Sequence, residues 1–435
     1  MSRSPAPPPK PDDARQLAAL LTSTDLAAAE AQARAWTERR PQHAAGWAVL
    51  ATLLQRQGRH DEALAPLRHA VTLAPTDVGL QYNLGNALRR AGRPDEAAEH
   101  YRRALALQPD HAKSHYSLAN VLRDTGRLDE ARRGYQLALR IAPDHAEASL
   151  NLGNTCLELG LLAEAEAAYR RAAQIKPDWA TPHFNLHARQ LAAGRTDAAI
   201  DALRAAHARE PHEPRHAFFL GLLLDHAGRG TEALPLFDQV RHGPPLGLAW
   251  LDAWQMLRDA RHHPRPLTLC GSAIQTFQLA LGAARPDGLV LEFGVRWGKS
   301  IRQLAALVPG PVHGFDSFEG LPEAWHHEPR GSYSTGGQLP EVPPNVTLHR
   351  GWFNESLPPF LLSQPGPLRL ANIDCDLYSS TATVLSLLAG RVGPGTVLVF
   401  DEYIGKRGLG LRIPQRQLRH QAGGRAHPAA LIRRR

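Results

Sequence analysis

The apolar positions of residues 10–247 repeat every 34 residues. Leucine recurs at Leu50, Leu84, Leu118, Leu152, Leu186 and Leu220. A large apolar or aromatic residue recurs at Leu67, Tyr101, Tyr135, Tyr169, Leu203 and Phe237. Small residues keep the same beat: Gly58, Gly92, Gly126, Gly160, Gly194 and Gly228, then Ala63, Ala97, Ala131, Ala165, Ala199 and Ala233. Prolines from Pro41 to Pro245 mark each period. Each unit holds two stretches of helical length, such as 79–91 and 95–107, so the pattern predicts a helical hairpin per unit. The glycine permits the tight turn, the alanine lets the paired helices approach, and the proline opens the next connection, where its missing N–H costs little. The first unit, from Lys10, is degenerate, with Thr24 in place of the turn glycine. From residue 288 the pattern changes. Apolar runs of strand length at 288–293, 312–316, 345–349, 368–374 and 396–401 alternate with helical or loop stretches. That alternation predicts a mostly parallel sheet.

The 34-residue unit is similar to the tetratricopeptide repeat in period and anchor positions. The resemblance implies a right-handed superhelix with a concave face. Asn86, Asn120 and Asn154 occupy the ninth place of successive units, and Asn83, Asn151 and Asn185 the sixth. In known repeats of this type these places face inward. Asparagine is a mediocre helix former, so its recurrence there has two readings. One is hydrogen bonding to the backbone of an extended peptide, resembling the asparagine ladder of the O-linked N-acetylglucosamine transferases. The other is copying during duplication of the array. Either way the array is an interaction platform for a protein or peptide partner.

The sheet region carries the candidate chemistry. Its first strand ends in Glu292-Phe293-Gly294-Val295-Arg296-Trp297-Gly298-Lys299-Ser300, a strand, glycine turn and helix start that offers backbone N–H groups to a ligand. The second strand ends in Asp316, an acid suited to the two hydroxyls of a ribose. With Phe315-Asp316-Ser317-Phe318-Glu319-Gly320-Leu321-Pro322 and Ile373-Asp374-Cys375-Asp376-Leu377-Tyr378, these residues resemble the macrocin O-methyltransferase family over roughly residues 270–403. That family is class I S-adenosylmethionine-dependent, uses a divalent metal and methylates sugar hydroxyls. The resemblance implies that Gly294 and Gly298 pass under the cofactor and that Glu292 receives its methionine ammonium. It implies that Ser300 caps the helix and touches the carboxylate. Asp316 would take the ribose, with Ser317 and Phe318 bordering the adenosine. Trp352 or Phe353, after the third strand, would stack on the adenine or else pack in the core. Asp374, Asp401 and Glu402 lie at neighbouring strand ends, where converging carboxylates repel unless a cation or protons intervene. Mg²⁺ suits such oxygen ligands, and Asp376 is a second ligand or a base.

Composition narrows this picture. At 43% hydrophobic residues, 435 residues support two or three domains. The expected fold class is α + α/β: a tail at 1–9, the repeats at 10–247, linking helices at 248–287, and a Rossmann-like domain at 288–403, incomplete at its end. A basic stretch at 404–435 reads as disordered, without a strand. Residues 406–435 hold nine Lys/Arg and no acid, so the net charge of +8 belongs to them and the remainder carries −1. Nucleic-acid binding is then confined to weak tail contacts. No long apolar run suggests a membrane span, and three scattered cysteines, Cys156, Cys270 and Cys375, suggest a reducing, cytoplasmic setting. The His262-His263 and His326-His327 pairs read as loop histidines. The sequence therefore points to an S-adenosylmethionine-dependent methyltransferase recruited through repeats, with its acceptor unidentified. Two alternatives are a non-catalytic repeat scaffold and another nucleoside-cofactor enzyme.

Overall fold

The computed structural model describes residues 11–259, 270–324, 328–401 and 429–433. By contact the chain forms two compact units. One holds the chain to Pro143 except for Asp124–Asp129, and that short stretch belongs with the second, Asp144 onward. Helices α1 (Pro11–Thr22) and α2 (Leu26–Arg39) lead into helix pairs. In the first unit these are α3 (Ala44–Arg56) with α4 (Leu64–Leu73), α5 (Val78–Arg90) with α6 (Pro94–Leu107), and α7 (Ala112–Asp124) with α8 (Leu128–Ile141). In the second they are α9 (Ala146–Glu158) with α10 (Leu162–Ile175), α11 (Ala180–Ala192) with α12 (Thr196–Arg209), and α13 (Pro214–His226) with α14 (Gly230–Arg241). Then come α15 (Pro245–Asp259) and α16 (Ala273–Ala283).

The repeat pattern becomes packing in a direct way. All six turn glycines take left-handed φ between 70° and 79°. The six in-phase alanines are at most 1% exposed, so each sits where its helix touches the partner helix. The aromatic of the second helix fills a notch in the first. A Cβ at Gly85 would stand 2.6 Å from the Tyr101 ring, and one at Gly153 would stand 2.5 Å from the Tyr169 ring. Where Ala119 replaces the notch glycine, Gly134 gives way on the other helix instead, with only 2.9 Å between its would-be Cβ and that of Ala119. One core site of the second unit holds a buried arginine. Arg189 on α11 is 4% exposed, pairs with Glu166 on α10, and donates to the Leu162 carbonyl and the Gln190 amide oxygen.

The rest of the second unit is a sheet between helices. Strands β1 (Leu289–Phe293), β2 (Val312–Asp316), β3 (Val346–Arg350), β4 (Leu368–Ile373), β5 (Val397–Asp401) and β6 (Ala429–Arg433) lie in the order β3-β2-β1-β4-β5-β6, every neighbouring pair parallel. Their alternate residues feed two cores. Val290, Val312, Leu370, Val397 and Val399 pack with Phe277 of α16 and with Ile301 and Leu304 of α17 (Lys299–Leu307). Phe293, Phe315, Ile373 and Phe400 pack with Leu357 and Phe360 of α18 (Phe353–Ser363) and Val384 of α19 (Tyr378–Leu388). Both faces are covered, as a parallel sheet requires. Strand β6 corrects the expectation of a strandless tail over residues 429–433. Ala429-Ala430-Leu431-Ile432 shows no alternation, but a strand of a parallel sheet does not need it. No helix among the described residues is long and apolar enough to cross a membrane.

Two tests follow from this packing. Glu166→Ala strands the buried Arg189 charge and costs about 3–5 kcal/mol. Adding Arg189→Leu removes the stranded charge and recovers most of that loss, as read from chemical denaturation midpoints. In the sheet, His313 of β2 and His349 of β3 hold their ring nitrogens 3.2 Å apart, both against Phe360. Burial, and then the neighbouring His349, lowers His313 to about 4, and burial lowers His349 too. Below the ordinary histidine pKa the unfolded chain takes up protons that the folded chain refuses. Stability of the second unit therefore declines from about pH 6.5 to about pH 4. His313→Gln flattens that decline in thermal melts run across the window.

Candidate active site

The site is built on the ends of β1 and β4, where the strand order reverses. Open α/β sheets place their ligand crevice at such a point. Gly294 ends β1 with φ +88°, and its would-be Cβ lies 1.8 Å from the Asp374 carbonyl oxygen. No residue with a side chain fits there. The Gly294 N–H donates to the Phe315 carbonyl (3.0 Å) and the Asp374 N–H to the Phe293 carbonyl (2.8 Å), so three strand ends are tied at one place. The turn continues through Arg296 at φ +50°, an unusual value for a residue with a side chain. It ends at Gly298, φ +78°, which is the N-cap of α17.

Asp316 holds this turn. Its Oδ2 accepts the Arg296 N–H and its Oδ1 the Phe318 N–H, both at 2.7 Å. Burial pushes its pKa up, the N–H groups of Arg296, Phe318 and Val295 pull it down, and the charge of Asp374 adds to the rise. The net direction is upward. With three N–H groups on about four lone-pair sites, the carboxylate keeps acceptor capacity for a ligand hydroxyl.

A cleft of about 430 Å³ opens above the strand ends. It is lined by Gly294 and Arg296 after β1, Asp316 and Ser317 after β2, Gly351–Glu355 after β3, and Asp374–Asp376 after β4. The loop after β2 supplies Leu321, Pro322, Arg330 and Tyr333, with the Arg296 guanidinium 5.0 Å over the Tyr333 ring. Asp376 and Tyr333 also have positive φ, 55° and 65°. Left-handed backbone at non-glycine residues thus gathers at this one cleft, a pattern typical of functional sites. Cys375 also lines the cleft. Burial first, with Asp374, Asp376 and Asp316 adding to it, pushes its thiol up to about 12.

The structure sorts the expected residues. Gly294, Asp316, Ser317, Trp352, Phe353, Asp374 and Asp376 meet at the cleft. Phe353 also packs edge-on against Phe293 at 5.5 Å, leaving Trp352 as the less committed ring. Four residues lie elsewhere. Glu292 is fully buried; it accepts from Ser300 Oγ (2.7 Å) and Asn372 Nδ2 (3.2 Å). Ser300 therefore holds Glu292 and does not cap α17, because Gly298 occupies the cap. Gly298 shapes the helix start. The Phe318 ring is 1% exposed in the core, since its left-handed backbone turns it away from the cleft. For the expected metal ligands, the side chain of Asp401 and all of Glu402 lie outside the described residues, as do His262, His263, His326 and His327. Among the described residues no group of three or more His, Cys, Asp or Glu is placed to hold a metal ion.

Sequence reasoning passed over Arg296, Tyr333 and Asn372. Asn372 left a signal: it is a polar residue at an inward place of a mostly apolar strand. It also overlooked what the repeat asparagines do. The Oδ1 atoms of Asn86, Asn120 and Asn154 accept the hydroxyls of the buried Tyr101, Tyr135 and Tyr169 at 2.7–2.8 Å. Asn185 Nδ2 donates to Asn154 Oδ1 (2.8 Å), linking two repeats, while Asn83 is exposed and Asn151 half-buried. A buried tyrosine hydroxyl needs a partner, and that need is a third reason for the recurrence.

Comparison with known proteins agrees with both halves. Family models described as "Tetratricopeptide repeat" match residues 45–110, 82–144, 135–178 and 189–246. One described as "Methyltransferase domain" matches residues 291–403. Solved structures similar to this chain include MamA 41-end from Desulfovibrio magneticus RS-1, 21% identical over 39% of this chain and 96% of that one, TM-score 0.38. They also include YrrB, titled a TPR protein with an unusual peptide-binding site, 20% identical over 40% of this chain and 89% of that one, TM-score 0.35. A third is a tetratricopeptide repeat protein from Parabacteroides merdae, 18% identical over 49% of this chain and 85% of that one, TM-score 0.43. No curated protein matches the chain. The chain is a fusion of tetratricopeptide repeats with a carboxy-terminal methyltransferase domain.

Proposed function

We propose that this chain transfers the methyl group of S-adenosylmethionine to a hydroxyl of a sugar-like acceptor, and that its repeats recruit a protein or peptide partner. The observation that carries the reading is the turn at Gly294 closed by Asp316. A methyltransferase domain implies this cofactor, and the residues of the cleft suit it. Gly294 turns the chain at the end of β1 and lines the cleft, and the Asp316 carboxylate accepts the ribose hydroxyls. Ser317 and Trp352 border the nucleoside. When bound, the cofactor supplies an electrophilic methyl on sulfur.

The chain's own part is positioning and charge. The new bond joins the methyl carbon to the acceptor oxygen as the carbon–sulfur bond breaks, and the hydroxyl proton goes to a base. Asp376, on the cleft wall beside the buried Asp374, takes that proton. Holding the two reactants in line supplies much of the acceleration. The partner reading rests on the repeats, and Asn83, Asn86, Asn120, Asn151, Asn154 and Asn185 are its candidate contacts. A cytoplasmic setting fits Cys156, Cys270 and Cys375, which form no disulfide.

Titration calorimetry of the full chain with S-adenosylmethionine tests the cofactor site. We expect micromolar binding at pH 8. The ribose hydroxyls need an ionised Asp316, whose pKa is raised. Affinity is therefore full at neutral pH and is lost as pH falls toward a value above the ordinary aspartate range. Asp316→Asn weakens binding about tenfold or more, a loss of at least one charge-assisted hydrogen bond, and removes the pH step. Absence of binding by folded wild-type chain would leave a repeat scaffold with an inert domain.

A further inference from the structure

The six turn glycines of the repeats are not equivalent. Five of them, Gly58, Gly92, Gly160, Gly194 and Gly228, have nothing within 4 Å of a would-be Cβ. Gly126 is different: there a Cβ would stand 2.8 Å from Lys299 Cα and 3.1 Å from Arg302 Cδ. Within the second unit, the turn Thr125–Gly126 is therefore seated against the first turn of α17, the helix that begins where the cofactor turn ends.

Polar contacts fix the seat. Lys299 Nζ bonds Glu158 Oε1 at 2.8 Å, and Arg302 Nε donates to the Thr125 carbonyl at 3.2 Å. The same Arg302 gives its backbone N–H to the carbonyl of Gly298 at 3.2 Å. One residue thus grips the cofactor turn with its backbone and the repeat turn with its side chain. The charges themselves argue for a purpose. Lys299 is the first residue of α17, where the helix dipole disfavours a cation. Glu158 is the last residue of α9, where the dipole disfavours an anion. Each charge sits at the wrong end of its own helix, and pairing relieves both. A second contact prevents sliding: a Cβ on Gly271, just before α16, would lie 1.9 Å from the Ala188 carbonyl of α11.

We propose that the Glu158–Lys299 pair, with Arg302 on the Thr125 carbonyl, is a positioning device through which the repeats hold the turn Gly294–Gly298 in its cofactor-binding shape. Neither Glu158 nor Lys299 lines the cleft, so both are positioning residues. This inference rests on the reading of the cleft as an S-adenosylmethionine site.

The test is a double-mutant cycle on S-adenosylmethionine affinity in the full chain. The variants are Glu158→Gln, Lys299→Gln, the two together, the exchanged pair Glu158→Lys with Lys299→Glu, and the conservative Lys299→Arg. Circular dichroism melts accompany each titration. Each single neutralisation raises Kd about 3- to 10-fold, and the double raises it no further, as expected for coupled residues. Lys299→Arg binds like wild type, and melting temperatures of the single variants stay close to it. The exchanged pair puts each charge at the favoured end of its helix and recovers at least half the loss. Should a neutral variant fold poorly, Glu158→Asp, which keeps the charge and shortens its arm, must show an intermediate loss. Unchanged Kd in the single variants, or losses that simply add, would overturn the positioning role while leaving the cleft assignment standing. Absence of binding by wild type would overturn the cleft assignment itself.

Discussion

The chemistry of the second unit depends on one close backbone approach. The Asp374 carbonyl oxygen occupies the space beside residue 294 where any Cβ would stand. Only glycine permits it, and only glycine takes the φ of +88° there without strain. The approach brings the ends of β1 and β4 together at the reversal of strand order. It aims the following turn at Asp316, whose carboxylate collects the N–H groups of Arg296 and Phe318. Carboxylates, turn and cleft wall are all arranged by that contact. A side chain at residue 294 would have to move backbone against backbone, which a packed sheet end resists.

The repeats obey a related rule with side chains in place of backbone. Their hairpins close because one helix offers a glycine notch and the other an aromatic ring that fills it, as with Gly85 and Tyr101 or Gly153 and Tyr169. A tyrosine buried in that way carries its hydroxyl into the core, where it must find an acceptor. The ninth-place asparagines provide one. Their oxygens are committed to the fold, so the recurrence of asparagine has a structural reason of its own.

Much of this was legible in the sequence because period and turn chemistry are local. The 34-residue beat located the hairpins, and the acids at strand ends located the edge where the cleft opens. What escaped reading depends on contacts distant along the chain. Ser300 looks like a cap in sequence, but Glu292 claims its hydroxyl and Gly298 occupies the cap. Phe318 follows Asp316 closely enough to suggest a ring beside the nucleoside, yet its positive φ turns it into the core. Glu166 and Arg189 each depart from the apolar consensus of their place, and only the packing of α10 on α11 shows that the two departures answer each other. Strand β6 escaped because an apolar run beside a basic stretch has no alternation to reveal it.

The most direct test of the account is a crystal structure of the full chain with S-adenosylhomocysteine, the demethylated form of the expected cofactor. The account predicts the ribose hydroxyls on the Asp316 carboxylate, the sulfur above Gly294 and the adenine beside Trp352. A ligand seated away from the ends of β1 and β2, or a cleft left empty in crystals that hold the ligand at saturating concentration, would contradict it.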